Sequence, residues 1–480
     1  MASTLLPETA EIAPGGGGPG EGKTPEPGVV VLFASGKPTC AWLPLASGQL
    51  ELGRAALMAA GVDDLSVSRS HAQIVCDGPR WVIRDLGSRN GTFVGGARIT
   101  ELVTESTPVV RLGRAITMAV RDGRGFAEAL AGLEGTPIVG ATLRVVNDAI
   151  AQSARLGPTL HIRGESGAGK ELAARHFHAS GPRSGGPFVA VNCAAIPEGV
   201  AERLLFGAVR GAYSGADVSV DGYLQAADKG TLFLDEVAEL DRSVQAKLLR
   251  VIETRQVTAL GASRSRSVEV GLCSATHRDL RAAVAEGVFR EDLYFRLGRP
   301  AVLVPPVRER REEIAFLAFR ALGAAASAEG RALGAEATFI EALLLRHWPG
   351  NVRELNAEVA LSARRALAAG RAELSHDDLA SEAGRAILPV APVAPAAPVA
   401  PVAQAAPVTQ AAPAAPEAVG ASARSPSARP TQAEIAAALE AHQGNVSAAA
   451  RALKVHRTQL RRWMAGEGLG EGGPGKRGPG

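Results

Sequence analysis

Residues 159–171, TLHIRGESGAGKE, combine a short apolar run with a glycine-rich turn and a lysine. The spacing from Gly164 to Gly169 and Lys170 lets backbone amides turn inward onto a phosphate, and the lysine can reach the outer phosphates of a nucleotide. A helix beginning at Glu171 would add its positive N-terminal end. Glu171 stands where such loops usually carry serine or threonine, so the hydroxyl ligand for Mg²⁺ is missing. The segment predicts a nucleotide phosphate site.

A second run, GTLFLDE at residues 230–236, ends an apolar strand in two carboxylates. Asp235 is suited to holding Mg²⁺ and Glu236 to orienting an attacking water. A chance glycine-rich turn is the alternative interpretation of the first run. The order and separation of the two runs favour an ATPase instead.

Four longer runs accompany these two motifs: FVAVNCAAIPE at 188–198, FREDLYFRL at 289–297, VPPVRERREEI at 304–314 and WPGNVREL at 348–355. Together the six runs closely resemble the AAA+ domain of sigma-54-dependent transcriptional activators, the bacterial enhancer-binding proteins, over residues 136–380. The resemblance implies an α/β ATPase domain with a helical lid. It also implies ATP and Mg²⁺ as cofactors and a homo-oligomer, from dimer to hexameric ring.

The resemblance gives individual residues roles in ATP binding and hydrolysis. The implied ATP-binding residues are Gly164, Glu165, Ser166, Gly167, Ala168, Gly169, Lys170, Glu171, Asp235 (also the Mg²⁺ ligand) and Arg353, the lid's sensor of nucleotide state. Glu236 would activate water, and Asn192 would be the switch that holds Glu236 away in another loop state. Arg290 and Arg296 would act as arginine fingers on a neighbouring subunit's nucleotide, where they stabilise the transferring phosphoryl group.

Two segments depart from the family pattern. His277, in SATHRDL, stands where the family commonly has asparagine. Leu204, Ala208 and Val209, in LLFGAVRG, replace an acidic and histidine-glutamate pattern. These changes leave open an alternative in which the ATPase is degenerate.

A second glycine-rich loop, RGAYSGADV at 210–218, contains one tyrosine. Its centre resembles the GAFTGA signature, the loop tip that contacts sigma-54 in this family. Small residues make a mobile tip, and Tyr213 is the one rigid contact group. The implied sigma-54 contact residues are Gly211, Ala212, Tyr213, Ser214, Gly215 and Ala216. An ordinary surface loop is the alternative.

Short β-rich runs lie at Val29–Phe33, Ala72–Val75, Trp81–Asp85, Val109–Leu112 and Thr117–Val120, and they predict an all-β sandwich. The loops between them carry Gly-Arg, Ser-Arg-x-His and Asn-Gly-Thr, which resemble a forkhead-associated (FHA) domain. The resemblance implies phosphothreonine-peptide binding by Arg54, Ser68, Arg69, Arg89 and Asn90, and suggests input from a Ser/Thr protein kinase. His71 would brace the loop. An FHA fold kept only for packing is the alternative.

The segment TQAEIAAALEAHQGNVSAAARALKVHRTQLRRWM at 431–464 contains three short helical patterns and resembles a Fis-type helix-turn-helix. Val455, Leu460 and Met464 are expected to pack inward. One helix face would be defined by Ile435, Ala438 and Leu439, and the next helix would present Val446, Ala449, Ala450 and Leu453. The second helix of such a pair enters the major groove of DNA. The implied DNA contacts are Arg457, Thr458, Gln459, Arg461 and Arg462. A solvated basic helix is the alternative.

Composition limits the function classes. A net charge of +3, from 52 basic and 49 acidic residues, is too balanced to indicate nucleic-acid binding by the whole chain, so a local patch must supply it. The four cysteines are scattered, which predicts free thiols in a reducing cytoplasm. The N-terminus does not read as a signal peptide, and frequent prolines in 386–416 exclude a membrane-spanning helix there. We expect a soluble cytoplasmic protein that does not contact a membrane.

The chain is expected to be multidomain. We expect a disordered tail at 1–27, an all-β FHA sandwich at 28–122, an α/β AAA+ P-loop ATPase with a helical lid at 135–380, an Ala/Pro-rich linker at 387–430 and a small all-α helix-turn-helix at 431–467. The predicted function is ATP-driven activation of sigma-54 RNA polymerase from enhancer DNA, regulated by a phosphothreonine protein or peptide. The alternative is a phosphopeptide-dependent DNA-binding adaptor with a degenerate ATPase.

Overall fold

A computed structural model describes residues 25–126, 138–197, 199–214 and 216–386, and in the C-terminal region residues 435, 438, 446–453, 455 and 460. The chain forms two compact units, Met1–Pro392 and Val393–Gly480. Within the described part of the chain, every helix is too short or too polar to cross a membrane.

The N-terminal domain is a sandwich of two antiparallel sheets. Its strands are β1 (Gly28–Ala34), β2 (Lys37–Pro44), β3 (Gln49–Leu52), β4 (Ala72–Asp77), β5 (Arg80–Asp85), β6 (Thr92–Val94), β7 (Ala97–Ile99), β8 (Glu101–Thr104), β9 (Val109–Leu112) and β10 (Ala115–Val120), with helix α1 (Arg54–Ala59) after β3. One sheet has the order β2-β1-β10-β9-β6-β7 and the other β3-β4-β5-β8. All five predicted β-rich runs lie in strands, which confirms the all-β class.

The central domain has a five-stranded parallel sheet of order β12-β13-β16-β11-β17. Its strands are β11 (Thr159–Arg163), β12 (Phe188–Asn192), β13 (Thr231–Asp235), β16 (Gly271–Thr276) and β17 (Ala301–Leu303), with a small hairpin of β14 (Gln256–Val257) and β15 (Arg266–Ser267). Its helices are α2 (Ala141–Leu156), α3 (Lys170–Ser180), α4 (Ala201–Phe206), α5 (Tyr223–Ala226), α6 (Arg242–Thr254), α7 (Leu280–Ala285) and α8 (Glu291–Leu297). Because β11 and β13 are parallel, their carboxyl ends bring residues 164–170 and 235–236 to one edge.

A helical lid follows the sheet. Its elements are α9 (Ile314–Ala328), α10 (Ala337–Leu345), α11 (Asn351–Ala368), β18 (Gly334–Ala335) and β19 (Glu373–Leu374). Short 3₁₀ turns lie at Arg124–Phe126, Cys193–Ala195, Val237–Glu239, Val307–Glu309, Arg311–Glu313 and His376–Asp378. Trp348 is fully buried in the lid, and its indole N–H donates to the carbonyl of Leu343 at 2.8 Å. This bond ties the loop before α11 to the end of α10.

Strand β1 is buried on both faces, which explains its unbroken apolar sequence. Val29 and Val31 pack inside the sandwich. Val30 and Leu32 point the other way and join the buried cluster of the lid. The FHA sheet and the lid therefore share one apolar core.

The C-terminal unit contains helix α12 (Val446–Ala452). Its buried cluster consists of Ile435, Ala449, Ala450 and Leu460, with Ala438, Val446, Leu453 and Val455 packed against it. The cluster includes Val455 and Leu460, which were predicted to pack inward, and the other six residues lie on the two helix faces that the sequence singled out. Leu439 and Met464 lie outside the described residues.

Candidate nucleotide site and partner surfaces

The loop between β11 and α3 forms the floor of a cleft of about 550 Å³. Gly167 and Gly169 have φ angles of +74° and +105°, in the left-handed region that favours glycine. The cleft is lined by residues 166–171, Asp235, Glu236 and Arg353, and by the apolar side chains of Ile138, Leu143, Leu317 and Val352. It therefore offers an amide-rich end for phosphates and an apolar end for a base.

Lys170 lies at the bottom of the cleft with only 6% of its surface exposed. Its ammonium donates to the carbonyls of Gly164 and Glu165 at 3.1 and 3.4 Å and contacts Oε1 of Glu236 at 3.4 Å. A buried cation needs such acceptors. The same ammonium is placed to bind phosphate oxygens in the cleft.

The carboxylate of Glu236 is hydrogen-bonded by the last residue of β16 and by the residue that follows it. Nδ1 of His277 donates to Oε2 at 2.7 Å, and the His277 amide and the Thr276 hydroxyl each donate to the same oxygen at 3.2 Å. Burial opposes ionisation of Glu236, but the His277 bonds and the charge of Lys170 outweigh it and hold the pKa of this carboxyl below its ordinary value. Glu236 also has a φ of +53°, a strained conformation of the kind that clusters at functional sites.

Asn192 is paired in register with Asp235 on the neighbouring strand. Its side-chain oxygen accepts from the amide of Ala194 at 3.0 Å. Among the described residues, the hydrogen bonds to the Glu236 side chain come from Lys170, Thr276 and His277 instead. The predicted hold of Asn192 on Glu236 is therefore absent from this state of the loops, and its switch role stays a prediction.

Asp235 is the candidate Mg²⁺ ligand. Burial, and to a lesser degree the negative charge of Glu236, raise the pKa of its carboxyl, although Lys170 opposes this. A cation beside it would favour the ionised form. Glu171 ion-pairs with Arg175 at 2.7 Å on the next turn of α3. The Asp235 carboxylate, an oxygen ligand that lines the cleft, would hold a magnesium ion.

The lid is bonded directly to the phosphate loop. Glu165 accepts two bonds from Arg308, at 2.5 and 2.8 Å, and one from the side-chain Nδ2 of Asn351 at 2.9 Å. Arg308 is the main cause of the lowered pKa of Glu165. Arg310, only 3% exposed, donates to the carbonyl of Ala168 at 2.6 Å. Sequence reasoning assigned these lid residues no role, although they stand in the quoted runs VPPVRERREEI and WPGNVREL.

The three predicted arginines occupy different places. Arg353 lines the cleft, and its guanidinium lies 3.4 Å from the hydroxyl of Ser166. Arg290 pairs with Asp292 at 2.7 Å at the start of α8. Arg296, on α8 itself, has a side chain that is 60% exposed. Neither arginine of this helix is among the described residues that line the cleft.

The GAYSGA loop has a closed base and an open tip. At the base, Ala208 exchanges two backbone bonds with Val220, at 3.0 and 2.9 Å. The amide of Gly211 donates to the carbonyl of Ala216 at 2.8 Å. Tyr213 is 39% exposed, and its hydroxyl accepts from Arg203 at 3.0 Å. Gly215 lies outside the described residues.

The FHA loops bring the predicted phosphopeptide residues to one end of the sandwich. Arg54 donates to the carbonyls of Val67 and Leu65 at 3.2 and 3.0 Å. The hydroxyl of Ser68 accepts from the amide of Arg89 at 3.1 Å. Arg69 and Arg89 are exposed there. This end of the domain is therefore basic and rich in donors.

Two side chains brace these loops. His71 is fully buried; its Nδ1 accepts from the amide of Ser68 at 3.0 Å, and its Nε2 donates to the carbonyl of Gly91 at 3.1 Å. Burial is the main cause of the lowered pKa of this imidazole, which stays neutral. Asn90 donates to the carbonyl of Ser66 at 2.7 Å. The predicted DNA contacts Arg457, Thr458, Gln459, Arg461 and Arg462 lie outside the described residues.

Family models match four parts of the chain: the sigma-54 interaction domain at 139–302, the FHA domain at 50–113, the AAA+ ATPase lid domain at 308–386 and the Fis-family bacterial regulatory protein domain at 432–465. The chain has the domains of a sigma-54-dependent activator. These assignments confirm the recognised family and the multidomain fold class. The AAA+ domain of this chain is of the P-loop ATPase type.

Individual relatives are similar mainly over the ATPase region. The Nif-specific regulatory protein of Azotobacter vinelandii is 44% identical over 236 residues, which cover 49% of this chain and 44% of that protein. The transcriptional regulatory protein GlrR of Escherichia coli strain K12 is 46% identical over 197 residues, covering 40% and 44%. The chain thus spans less than half the length of these relatives. The solved structure of NtrX from Brucella abortus in complex with ATP is 29% identical, covers 71% of this chain and 70% of that one, and gives a TM-score of 0.46.

Proposed function

We propose that this protein activates transcription by sigma-54 RNA polymerase, using ATP hydrolysis to remodel the closed promoter complex from an enhancer-bound position. The observation that carries the proposal is the cleft in which Lys170, Asp235 and Glu236 converge, inside a domain of the sigma-54 interaction family. An exposed Tyr213 in the GAYSGA loop of the same domain supports it.

The hydrolytic step uses three side chains that line the cleft, those of Lys170, Glu236 and Asp235. The Lys170 ammonium, which here contacts Glu236, would bind the outer phosphates of ATP. Glu236 remains on His277 and, because its pKa is held low, it is ionised at neutral pH and accepts a proton from water. Mg²⁺, when bound at Asp235, neutralises the charge that develops on the phosphoryl oxygens.

Catalysis also needs positive charge from a neighbouring subunit. Arg290 and Arg296 lie outside their own cleft, and Arg296 is well exposed, so both are available to an adjacent copy of the chain. Arginines supplied in this way stabilise the transferring phosphoryl group and make hydrolysis depend on assembly. Arg353, bonded to Ser166, reports nucleotide state to the lid, and Asn192 acts as the switch in a later loop state.

Two end domains supply location and regulation. The Fis-type domain binds enhancer DNA through Arg457, Thr458, Gln459, Arg461 and Arg462. The FHA domain binds a phosphothreonine peptide through Arg54, Ser68, Arg69, Arg89 and Asn90. Because a Ser/Thr kinase produces the phosphothreonine, this binding places the protein under the control of such a kinase. His277 counts against the adaptor alternative. Although it departs from the family pattern, it donates a hydrogen bond to Glu236 within the ATPase site.

The test is open-complex formation on a sigma-54 promoter with purified protein, with and without hydrolysable ATP and in the presence of a phosphothreonine peptide pool. We expect ATP-dependent melting by the wild type and none by Lys170→Ala. Tyr213→Ala should hydrolyse ATP without melting the promoter, whereas Tyr213→Phe, which keeps the ring, should melt it. Normal promoter melting by Tyr213→Ala would refute the loop assignment. If the wild type neither hydrolyses ATP nor melts the promoter, the alternative of a DNA-binding adaptor with a degenerate ATPase is favoured.

A further inference from the structure

One face of the FHA sandwich is docked on the AAA+ lid. This FHA–lid interface joins Val30, Leu32, Phe33 and Arg111 of the FHA sheet to Phe319 and Glu341 of the lid. The rings of Phe33 and Phe319 lie 5.9 Å apart, a separation typical of favourable aromatic pairs. The strand face is continuous apolar surface, so undocking would expose it to water.

A buried ion pair fixes the register of this docking. Nε of Arg111 lies 2.6 Å from Oε2 of Glu341, with the two side chains 12% and 5% exposed. The Arg111 guanidinium also lies 3.8 Å from the ring centre of Phe93, and the Gly96 amide donates to Glu341 at 3.3 Å. Removing one partner of such a pair leaves an uncompensated buried charge, so the pair holds the two domains in one orientation.

Arg111 is also connected to the phosphopeptide loops. It donates to the carbonyl of Gly113 at 3.0 Å, in the turn between β9 and β10. The next residue, Arg114, donates its amide to the hydroxyl of Ser66 at 2.8 Å. The carbonyl of the same Ser66 is the acceptor for Asn90. A movement of Asn90 or Ser66 would therefore reach the turn that holds Arg111.

In the docked form, the predicted phosphopeptide-binding side chains Asn90 and Arg54 donate hydrogen bonds to carbonyls of a neighbouring FHA loop. Asn90 donates to Ser66, and Arg54 donates to Leu65 and Val67, so a phosphopeptide that draws either side chain toward itself would rearrange the loops that these bonds hold. That rearrangement disturbs the turn at Gly113 and with it the Arg111–Glu341 pair. Docking on the lid and peptide binding are then in competition.

The lid side of the interface leads to the nucleotide. Glu341 lies in α10, whose end is bonded to Trp348. Three residues further on, Asn351 donates to the phosphate-loop residues Glu165 and Ser166 at 2.9 and 3.0 Å. The docked FHA domain is therefore packed on α10, the helix that precedes the Trp348 loop and the first residue of α11, Asn351, which contacts the phosphate loop.

We propose that the FHA–lid interface is an autoinhibitory contact that a phosphothreonine peptide releases. This inference rests on the proposed phosphopeptide function of the FHA domain. Because linkage is reciprocal, weakening the docking must strengthen peptide binding, and peptide binding must loosen α10.

The test measures binding of a fluorescein-labelled degenerate peptide pool, centred on phosphothreonine, to the full chain. Glu341→Gln keeps the side-chain shape but leaves Arg111 without its counter-charge, and we expect it to bind the pool about 5-fold or more tightly than the wild type. Glu101→Gln is the matched control. It removes one carboxylate of an exposed pair with Arg84 on the other sheet, and it should bind as the wild type does.

A second variant covers the case in which Glu341→Gln unfolds. Replacing both Arg111 and Glu341 by methionine removes the pair without leaving a lone buried charge, and it should also bind the pool more tightly. In the wild type, the peptide should speed amide hydrogen exchange in Ala337–Leu345.

The outcomes separate the two ideas. Equal affinity of wild type and interface variants, with binding lost in Arg54→Ala, overturns the autoinhibitory contact but keeps the FHA assignment. Unchanged exchange in α10 also overturns the contact. Absence of phosphopeptide binding in every variant overturns both.

Discussion

Gly167→Ala tests whether lid and phosphate loop act together. A Cβ at Gly167 would lie 2.3 Å from the carbonyl oxygen of Gly350 and 3.2 Å from Cβ of Arg353, and the residue has a φ of +74°. Gly370 has nearly the same φ, +70°, but a Cβ there meets nothing within 4 Å. Gly370→Ala therefore introduces the backbone strain alone, while Gly167→Ala adds a collision with the lid.

The magnitude follows from the contacts that the collision breaks. To relieve it, the Gly350 carbonyl oxygen must move by about 1.1 Å, from 2.3 Å to the 3.4 Å at which ordinary van der Waals contact begins. The amide of Val352 donates to Gly167 at 3.2 Å, already at the long end of the normal range, and Asn351 donates to Ser166 at 3.0 Å. Each such bond contributes about 0.5–1.5 kcal/mol, so their loss costs about 1–3 kcal/mol beyond the strain that both variants share.

The assay is titration with a fluorescent ADP analogue, alongside thermal unfolding of both variants. Left-handed alanine costs about 1–2 kcal/mol, so both should unfold at a lower temperature than the wild type. Only Gly167→Ala should lose affinity, by roughly 5- to 150-fold if the lost lid contacts are fully felt at the nucleotide. Affinities of the two variants within about twofold of each other would refute the coupling of lid and phosphate loop.

The remaining predictions concern two histidines. His277→Ala removes the Nδ1 donor from Glu236, so the pKa of that carboxyl should rise and steady-state ATP turnover should fall, while ADP affinity stays near that of the wild type; an unchanged turnover number would contradict the role of His277. His161 is buried beside Ser274, and burial, aided by Arg163, lowers its pKa to about 4. As the pH falls below 6.5, the unfolded chain binds a proton at His161 before the folded chain does. The free energy of unfolding therefore decreases, by about 3 kcal/mol in total, as the pH falls from 6.5 toward 4. His161→Gln should flatten the pH dependence of the unfolding midpoint between these limits, and parallel curves for the two proteins would count against the assignment.

Much of the phosphate end of the site could be predicted from sequence because its parts are local. The glycines and Lys170 stand within one turn, and the carboxylates of Asp235 and Glu236 end one strand. The sequence could not show that Val29, Val30 and Val31 alternate between the two faces of β1, since all three are valine. Only packing shows that Val30 faces the lid and its neighbours face the sandwich.

The partners of Glu236 could not be predicted in the same way. Asn192 ends β12 and His277 follows β16 at the same edge of the sheet, and which of them reaches the carboxylate depends on loop conformation. The structure selects His277, 41 residues away in sequence, at 2.7 Å. The role of Arg308 as partner of Glu165 depends in the same way on a separation of 143 residues.

The sequence alone determined the four domain types, the order of the ATPase motifs and the inward face of the C-terminal helices. These depend on short-range spacing, on turn residues and on the period of apolar side chains. Only the tertiary structure decided the lid clamp on the phosphate loop and the docking of the FHA sheet. The Arg111–Glu341 pair joins residues 230 apart, and a surface charge on a strand gives no local sign of its partner. Burial of that pair depends on how two complete domains fit together, which no single segment encodes.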